Sequence, residues 1–144
     1  MATPEQEQQL ITAAQEGVRN AFTRHGRQDE FRIGAAVLTD KGNVWSSGHY
    51  HSDTGSLTLH AEQSVLAHAA AHGEYGIVAI AVSWNAAAAG ESDDSIYPCH
   101  MCKQLLWESY LRSKIDTEII LVDESGKALE RLQLTKIMSH TWSK

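Results

Sequence analysis

The sequence predicts an α/β fold in which helices cover the faces of a mixed, five-stranded β-sheet. Continuously apolar runs, typical of strands covered on both sides, are interspersed with segments whose apolar residues recur at helical spacing. Two strand–turn–strand segments, one in each half of the chain, indicate antiparallel neighbours within the sheet. Strands and helices that share one chain in this way favour a layered α/β architecture.

The first predicted helix begins at Thr3-Pro4-Glu5-Gln6. Thr3 is suited to cap the helix, Pro4 to its first turn, and Gln6 to complete a capping box. Apolar residues then recur every fourth position and give the helix one apolar face: Leu10, Ala14, Val18 and Phe22. We expect this helix to end near Arg24.

A β-hairpin and a second helix follow. The run from Phe31 to Leu38 is apolar, Asp40-Lys41-Gly42-Asn43 has the composition of a turn, and Val44 to Gly48 can return as the second strand. After a loop, apolar residues at helical spacing begin at Ala61, and Gly73 is a suitable C-terminal stop.

The second half of the chain predicts three more strands and two more helices. Ile77 to Val82 is a continuously apolar strand, and a polar, alanine-rich loop from Asn85 to Tyr97 leads to a third helix over Cys99 to Tyr110. The remaining predicted elements are a strand from Glu118 to Val122, a tight turn over Glu124-Ser125-Gly126-Lys127, a return strand from Ala128 to Leu132, and a final helix from Leu134 to Trp142.

Composition predicts one domain and excludes several classes of partner. A chain of 144 residues, 42% hydrophobic and 21% charged, can bury the core of a single domain over residues 1–144. A formal charge of −6 argues against proteins that hold a phosphate backbone by bulk attraction, since these usually carry a basic face. We therefore expect a small-molecule substrate and no large nucleic-acid partner.

The first residues and the cysteine content indicate the compartment. Met1 to Gln9 is polar and acidic rather than basic and then apolar, and no run approaches the roughly 18 apolar residues that span a bilayer. We therefore expect a cytoplasmic protein with no membrane partner. Its two cysteines, three positions apart, are a poor disulfide framework but a common metal or redox arrangement in the cytosol.

His60, Glu62, Cys99 and Cys102 are the candidate functional residues. Residues two apart do not face each other in a regular helix, so His60 and Glu62 can serve one site only at the entry to the second helix, where the sequence places them. Cys99 and Cys102 can share one side of the first turn of the third helix, directly after Pro98. Two helix starts can then converge on one ion.

The chemistry of this group favours a catalytic zinc site. The partial positive charge of a helix start favours thiolates, which zinc binds, and one imidazole with two thiolates leaves the fourth tetrahedral position open. His100, between the cysteines, is interpreted as a surface residue, because a fourth protein ligand would close the site. A lone C-x-x-C is also compatible with a redox dithiol, which would need neither His60 nor Glu62.

The combination H-x-E followed by P-C-x-x-C is typical of zinc-dependent deaminases. The chain resembles the cytidine deaminase family over most of its length. Four segments carry the resemblance: Phe31-Arg32-Ile33-Gly34-Ala35-Ala36, His60-Ala61-Glu62, Pro98 to Leu106, and the strand pair from Glu118 to Leu132. The resemblance implies a three-layer αβα sandwich and a homo-oligomer, either a tetramer or else a dimer. It also implies an antiparallel last strand pair, unlike the branch that acts on guanine or transfer-RNA adenosine.

Two departures from the family pattern bear on the site. Small cytidine deaminases usually have three cysteines, the first in a Cys-Ala-Glu-Arg run, whereas this chain has His60 and then Gln63. One imidazole and two thiolates are neutral with Zn²⁺, so an uncharged Gln63 suffices where three thiolates need an arginine. The usual ribose-binding Gly-x-Asn-x-Glu run is replaced by Gly48-His49-Tyr50-His51-Ser52.

The resemblance also implies roles for individual residues. Glu62 would be the general acid and base of a hydrolytic deamination, and one Zn²⁺ per chain would be held by His60, Cys99 and Cys102. The predicted substrate contacts are the main-chain N–H of Ala61, the main-chain carbonyl of Tyr97, the side chain of Phe31, and Tyr50 and His51. Phe31 can equally be a core residue, and the His/Tyr cluster an ordinary polar loop.

The predicted reaction is conversion of the 4-amino group of a cytidine-like nucleoside to a carbonyl with release of ammonia, as in pyrimidine salvage. A modified aminopyrimidine nucleoside of the blasticidin S type or a free base is the alternative substrate. A zinc-stabilised binding or scaffold protein of the same fold is the non-enzymatic alternative. Glu62 distinguishes the enzyme from the scaffold protein, because a purely structural zinc site has no use for a general acid beside an open coordination position.

Overall fold

A five-stranded mixed sheet in the order β2-β1-β3-β4-β5 forms the centre of the computed structural model, which describes residues 1–85 and 97–139. The strands are β1 (Ile33–Thr39), β2 (Val44–Gly48), β3 (Ile77–Trp84), β4 (Glu118–Val122) and β5 (Ala128–Gln133). Strands β3 and β4 are parallel, and the other neighbouring pairs are antiparallel. The predicted mixed sheet is confirmed, including the antiparallel last pair.

The helices are α1 (Pro4–Arg19), α2 (Ala61–Ala71), α3 (His100–Ser113) and the short α4 (Leu134–Ile137), and a 3₁₀ turn spans Gly55–Leu57. Helix α1 begins with the predicted capping box. The main-chain N–H of Gln6 donates to Thr3 Oγ1 at 3.1 Å, and the N–H of Thr3 donates to Gln6 Oε1 at 3.0 Å. Within the described residues, no helix is long and apolar enough to span a bilayer.

The predicted end of the first helix is wrong. Helix α1 ends at Arg19 rather than near Arg24, and Phe22, which continues the helical apolar pattern, lies in extended chain. Its main-chain N–H donates to the carbonyl of His49 at 2.9 Å, and its ring stacks on Tyr50 with centroids 4.6 Å apart. The chain leaves the helix because these contacts require an extended backbone.

Other boundaries differ by a few residues. The first strand begins at Ile33 rather than Phe31, and α3 continues to Ser113, where Lys114 ends it in a left-handed conformation with φ +62°. The final helix ends at Ile137 rather than Trp142, since residues 138 and 139 are not helical. The rest of that predicted helix, residues 140–142, and most of the predicted loop, residues 86–96, lie outside the described residues.

Two apolar clusters cover opposite faces of the sheet. Alternate residues of β1 divide between them: Ala36 and Leu38 face α1, whereas Ala35 and Val37 belong to the cluster that contains α2, α3 and α4. Helix α1 therefore forms one outer layer and the other helices form the second. This arrangement confirms the three-layer αβα sandwich.

Three glycines let helix α1 lie directly on the first hairpin. A Cβ at Gly34 would stand 2.1 Å from the main-chain nitrogen of Val18, and one at Gly17 would stand 2.5 Å from the carbonyl oxygen of Ser47. Gly48 is equally confined, since its Cβ would lie 2.4 Å from the carbonyl oxygen of Gly17. The atoms in the way are backbone atoms, so a side chain cannot be accommodated by a rotamer change.

Substitution of Gly34 by alanine is expected to destabilise the fold. The added methyl group forces α1 away from β1, and overpacking of this kind costs about 1–3 kcal/mol of unfolding free energy. We expect the thermal midpoint to fall by several degrees in differential scanning calorimetry. Gly55→Ala is the control, because a Cβ at Gly55 meets nothing within 4 Å. Equal midpoints for the two variants would contradict the packing argument.

Candidate metal centre and active site

The starts of helices α2 and α3 meet at one point, as the sequence predicts. His60 is the N-terminal cap residue of α2 and Cys99 that of α3, and both have extended backbone conformations that precede the first helical turn. Cys102 lies on the first turn of α3 and is buried. The two segments are 39 residues apart in sequence at the His60–Cys99 pair, so the fold is what brings them together.

The three predicted ligand atoms form a nearly equilateral triangle. Nδ1 of His60 lies 3.3 Å from Cys99 Sγ and 3.4 Å from Cys102 Sγ, and the two sulfurs are 3.5 Å apart. Around tetrahedral zinc, with Zn–S about 2.3 Å and Zn–N about 2.0–2.1 Å, donor atoms stand roughly 3.6–3.8 Å apart. The group therefore fits a zinc ion with little adjustment. Within residues 1–85 and 97–139, no fourth metal-binding side chain joins it.

The charge balance of the site also fits a divalent cation. Burial, followed by the neighbouring Glu62 carboxylate, raises the pKa of the Cys102 thiol. A zinc ion would supply the positive charge that two neighbouring thiolates, one of them buried, require.

Glu62 lies beside this group but is not part of it. It is the second residue of α2, its side chain is 6% exposed, and burial raises the pKa of its carboxyl group. Its own main-chain N–H, the charge of His60 and a hydrogen bond from Cys102 oppose that shift. A buried carboxyl group with an increased proton affinity, next to a metal site, is what a general acid and base requires.

A cavity of about 280 Å³ adjoins the metal group. Its walls include four apolar side chains, those of Phe31, Ile33, Leu59 and Val82. Its other lining residues are His49, Thr58, Ala61 and Tyr97 together with His60, Glu62 and Cys99. The volume is near the lower end of the range typical of small-molecule sites, roughly 300–1,000 Å³.

The structure separates the predicted substrate contacts into two groups. Phe31, Ala61 and Tyr97 line the cavity, and the Tyr97 hydroxyl donates to Glu130 on β5. Ala61 is the first residue of α2, so its main-chain N–H is outside the helical hydrogen-bond ladder. A contact between this N–H and substrate stays a prediction, as do those of Phe31 and Tyr97.

Tyr50 and His51 are not among the described residues that line the cavity. Tyr50 is 53% exposed and stacks on Phe22, and His51 Nε2 lies 3.1 Å from Asp53 Oδ1. Their contact with substrate therefore stays a prediction without support from the cavity. The same segment does contribute His49, which the sequence analysis placed in the His/Tyr cluster but did not single out. Its position directly after β2 was the available signal.

The structure also places Gln63 and His100, two other residues of the motifs. The main-chain N–H of His60 donates to Gln63 Oε1 at 2.8 Å, so Gln63 closes the start of α2. This contact fixes the backbone of the predicted histidine ligand. His100, between the two cysteines, is exposed, in agreement with its interpretation as a surface residue.

Residues 4–115 match the family model described as the cytidine and deoxycytidylate deaminase zinc-binding region. The chain belongs to this deaminase family. Together with the His/Cys/Cys group, membership identifies the chain as a zinc-dependent deaminase with one Zn²⁺ as its cofactor. The predicted family, enzyme class and cofactor are confirmed.

Solved structures of cytidine deaminases share the fold. The enzyme from Burkholderia pseudomallei has 24% sequence identity and a TM-score of 0.76, with 98% of this chain and 100% of that chain covered. The enzyme from Mycobacterium tuberculosis has 22% identity and a TM-score of 0.70 over 94% and 96% of the two chains. The enzyme from Bacillus anthracis has 15% identity and a TM-score of 0.65 over 94% and 89%.

Removal of any one predicted ligand is expected to reduce zinc binding. His60→Ala, Cys99→Ser and Cys102→Ser each leave two donors of the original kind, and the zinc content should fall from about one per chain to well below half. The measurement is inductively coupled plasma mass spectrometry on dialysed protein. His100→Ala is the control and should retain the parent's zinc content. A His60→Ala protein with a full zinc complement would remove His60 from the ligand set.

Proposed function

We propose that this deaminase acts on a cytidine-like nucleoside, replacing its 4-amino group by a carbonyl oxygen. Water is consumed and ammonia is released. The observation that supports this proposal is one cavity lined by the buried Glu62 together with His60 and Cys99 of the His60, Cys99 and Cys102 group. A small cavity with apolar walls suits a flat base, and a buried carboxyl group suits repeated proton transfer.

Glu62 is proposed to move the protons of the reaction. A bound zinc ion supplies Lewis acidity that lowers the pKa of a water molecule to about 7. The Glu62 carboxylate accepts a proton from the attacking water and donates it to the ring nitrogen next to the amino-bearing carbon. It then passes the second proton of that water, from the new hydroxyl group on the ring carbon, to the amino group; the carbon–nitrogen bond breaks, ammonia departs and the hydroxyl oxygen becomes the carbonyl oxygen.

The remaining cavity residues are proposed to hold the base. The main-chain N–H of Ala61 donates to the pyrimidine carbonyl, and the main-chain carbonyl of Tyr97 accepts from the amino group. Phe31 is half-buried and lines the cavity, which supports a contact with the flat face of the base. The anchoring of Tyr97 to Glu130 supports a fixed position for this wall of the site.

Two observations weigh against the non-deaminase alternatives for Cys99 and Cys102. Nδ1 of His60 is as close to each sulfur as the sulfurs are to each other, an arrangement that a redox dithiol does not need. A scaffold protein would have no use for Glu62 at this position. A modified aminopyrimidine nucleoside is the second candidate substrate, since the usual Asn and Glu of the ribose site have no counterpart in residues 48–52.

We also propose a wider setting for this reaction. We place residues 1–144 in one catalytic domain that acts in pyrimidine salvage in the cytoplasm as a homotetramer. Apolar clusters on both faces of one continuous sheet support the single domain. The resemblance to small cytidine deaminases supports the compartment and the assembly.

Substitution of Glu62 by glutamine is expected to abolish most of the activity without removing the metal. Glutamine has a similar shape but cannot exchange the proton, and general acid–base catalysis contributes roughly 10²–10⁴-fold. Release of ammonia from cytidine should fall by about that factor at unchanged zinc content. Glu124→Gln, in an exposed turn, is the control and should keep the parent's rate. A Glu62→Gln protein as active as the parent would remove the proposed role.

A substrate panel tests the proposed reaction itself. Cytosine, cytidine, deoxycytidine, N4- or ring-modified cytidines, blasticidin S and guanine are each supplied to the zinc-loaded protein, and ammonia is measured with a coupled assay. The proposal predicts the highest kcat/KM for cytidine or deoxycytidine. A higher value for guanine would contradict it, and a preference for blasticidin S or a modified cytidine would favour the second candidate substrate.

A further inference from the structure

His49 occupies the wall of the cavity with its main chain fixed on both sides. It directly follows strand β2, and its main-chain N–H donates to the carbonyl of Ile33 at 3.0 Å. Its own carbonyl accepts from the N–H of Phe22 at 2.9 Å. The side chain is half-buried and lines the cavity together with Ile33. The main chain of His49 therefore keeps its imidazole at the wall of the cavity.

One hydrogen bond determines which nitrogen of this imidazole carries the proton. The main-chain N–H of Ile33 lies 3.2 Å from His49 Nδ1, and a main-chain N–H can only donate. Nδ1 must then be an acceptor, and a neutral imidazole that accepts at Nδ1 carries its proton on Nε2. Burial lowers the pKa of His49, which favours this neutral form. Because the Nδ1 edge faces the main chain, the edge available to the cavity is the one with the Nε2–H donor.

The other polar side chains of the cavity already have partners. The hydroxyl of Thr58 accepts from the N–H of Ser52 at 3.0 Å and donates to its carbonyl at 3.1 Å. The Tyr97 hydroxyl is bonded to Glu130. In the part of the chain that the structure describes, no hydrogen-bond partner of His49 Nε2 is found. Among the described residues that line the cavity, and apart from the proposed metal ligands and Glu62, His49 is thus the side chain with a donor to offer a substrate.

Apart from the proposed Zn²⁺, which two thiolates neutralise, the described residues that line the cavity offer no positive charge to an anionic substituent. No lysine or arginine is among its lining residues in the described ranges. The one carboxyl group there, that of Glu62, cannot carry a positive charge. A phosphate group in such a cavity would lose water without gaining a counter-charge, which is costly in free energy. An uncharged substituent with acceptor oxygens avoids this cost and can accept a hydrogen bond from His49 Nε2.

We infer that His49 determines the substituent that the site accepts on the base, donating from Nε2 to an uncharged acceptor oxygen such as that of a sugar. The site then selects a nucleoside over both the free base and the nucleoside monophosphate. This inference rests on the proposed deamination of an aminopyrimidine, whose reacting end is held by other residues.

The test compares His49→Ala and His49→Gln with the parent, all zinc-loaded. The quantities are the ratio of kcat/KM for deoxycytidine to that for cytosine, and the ratio of the dissociation constants of deoxyuridine and uracil in titration calorimetry. Loss of one neutral hydrogen bond should shift both ratios roughly five- to tenfold against the nucleoside in His49→Ala. Glutamine, which keeps an N–H donor at similar reach, should recover most of the loss. His25→Ala, an exposed histidine, is the matched control and should keep the parent's ratios.

Three outcomes would overturn the inference. Ratios in His49→Ala equal to those of the parent would remove the donor role, as would a fall in His49→Gln as large as that in His49→Ala. A higher kcat/KM for deoxycytidine 5′-monophosphate than for deoxycytidine would contradict selection of an uncharged substituent. A parent protein that releases no ammonia from any substrate refutes the proposed function instead, and the two titrations then decide the role of His49 by themselves.

Discussion

The approach of two helix starts to one point is the constraint on which the site depends. Helix α2 precedes β3 in the chain and α3 follows it, and both pack on the same face of the sheet. This connectivity places His60 against Cys99 and Cys102, with all three donor atoms 3.3–3.5 Å apart. Burial raises the pKa of the Cys102 thiol, and a cation bound between the three donor atoms would stabilise its thiolate form. The proposed metal site, the carboxyl group of Glu62 and the cavity therefore lie next to one another where α2 and α3 begin.

Local patterns predicted most of the fold, and long-range contacts explain where they were wrong. Strands β2 and β4 have the predicted bounds because apolar runs and turn residues define them within a few positions. The first helix was overextended because Phe22 continues its apolar period, whereas its pairing with Tyr50 joins residues 28 positions apart in the chain. The buried Glu74, which accepts hydrogen bonds from Thr39, Asn43 and Trp45, has no local sequence signal either.

The residues of the site could be predicted from the sequence where they belong to short motifs. His60 and Glu62 flank the start of α2, and Cys99 and Cys102 lie within one turn of the start of α3, so each short motif predicts two side chains at one helix start. The cavity wall depends instead on which residues after β2 turn inward. His49 lines the cavity because it is bonded to Ile33 of the adjacent strand, and no spacing rule distinguishes it from the residues that follow it.

X-ray absorption at the zinc K edge tests the central claim most directly, because it reports the atoms around the metal without reference to activity. The account predicts two sulfur neighbours at about 2.3 Å, one histidine nitrogen at about 2.0–2.1 Å, and one further light atom in the open fourth position. A zinc shell of oxygen and nitrogen without sulfur would contradict it, since the metal would then lie away from Cys99 and Cys102.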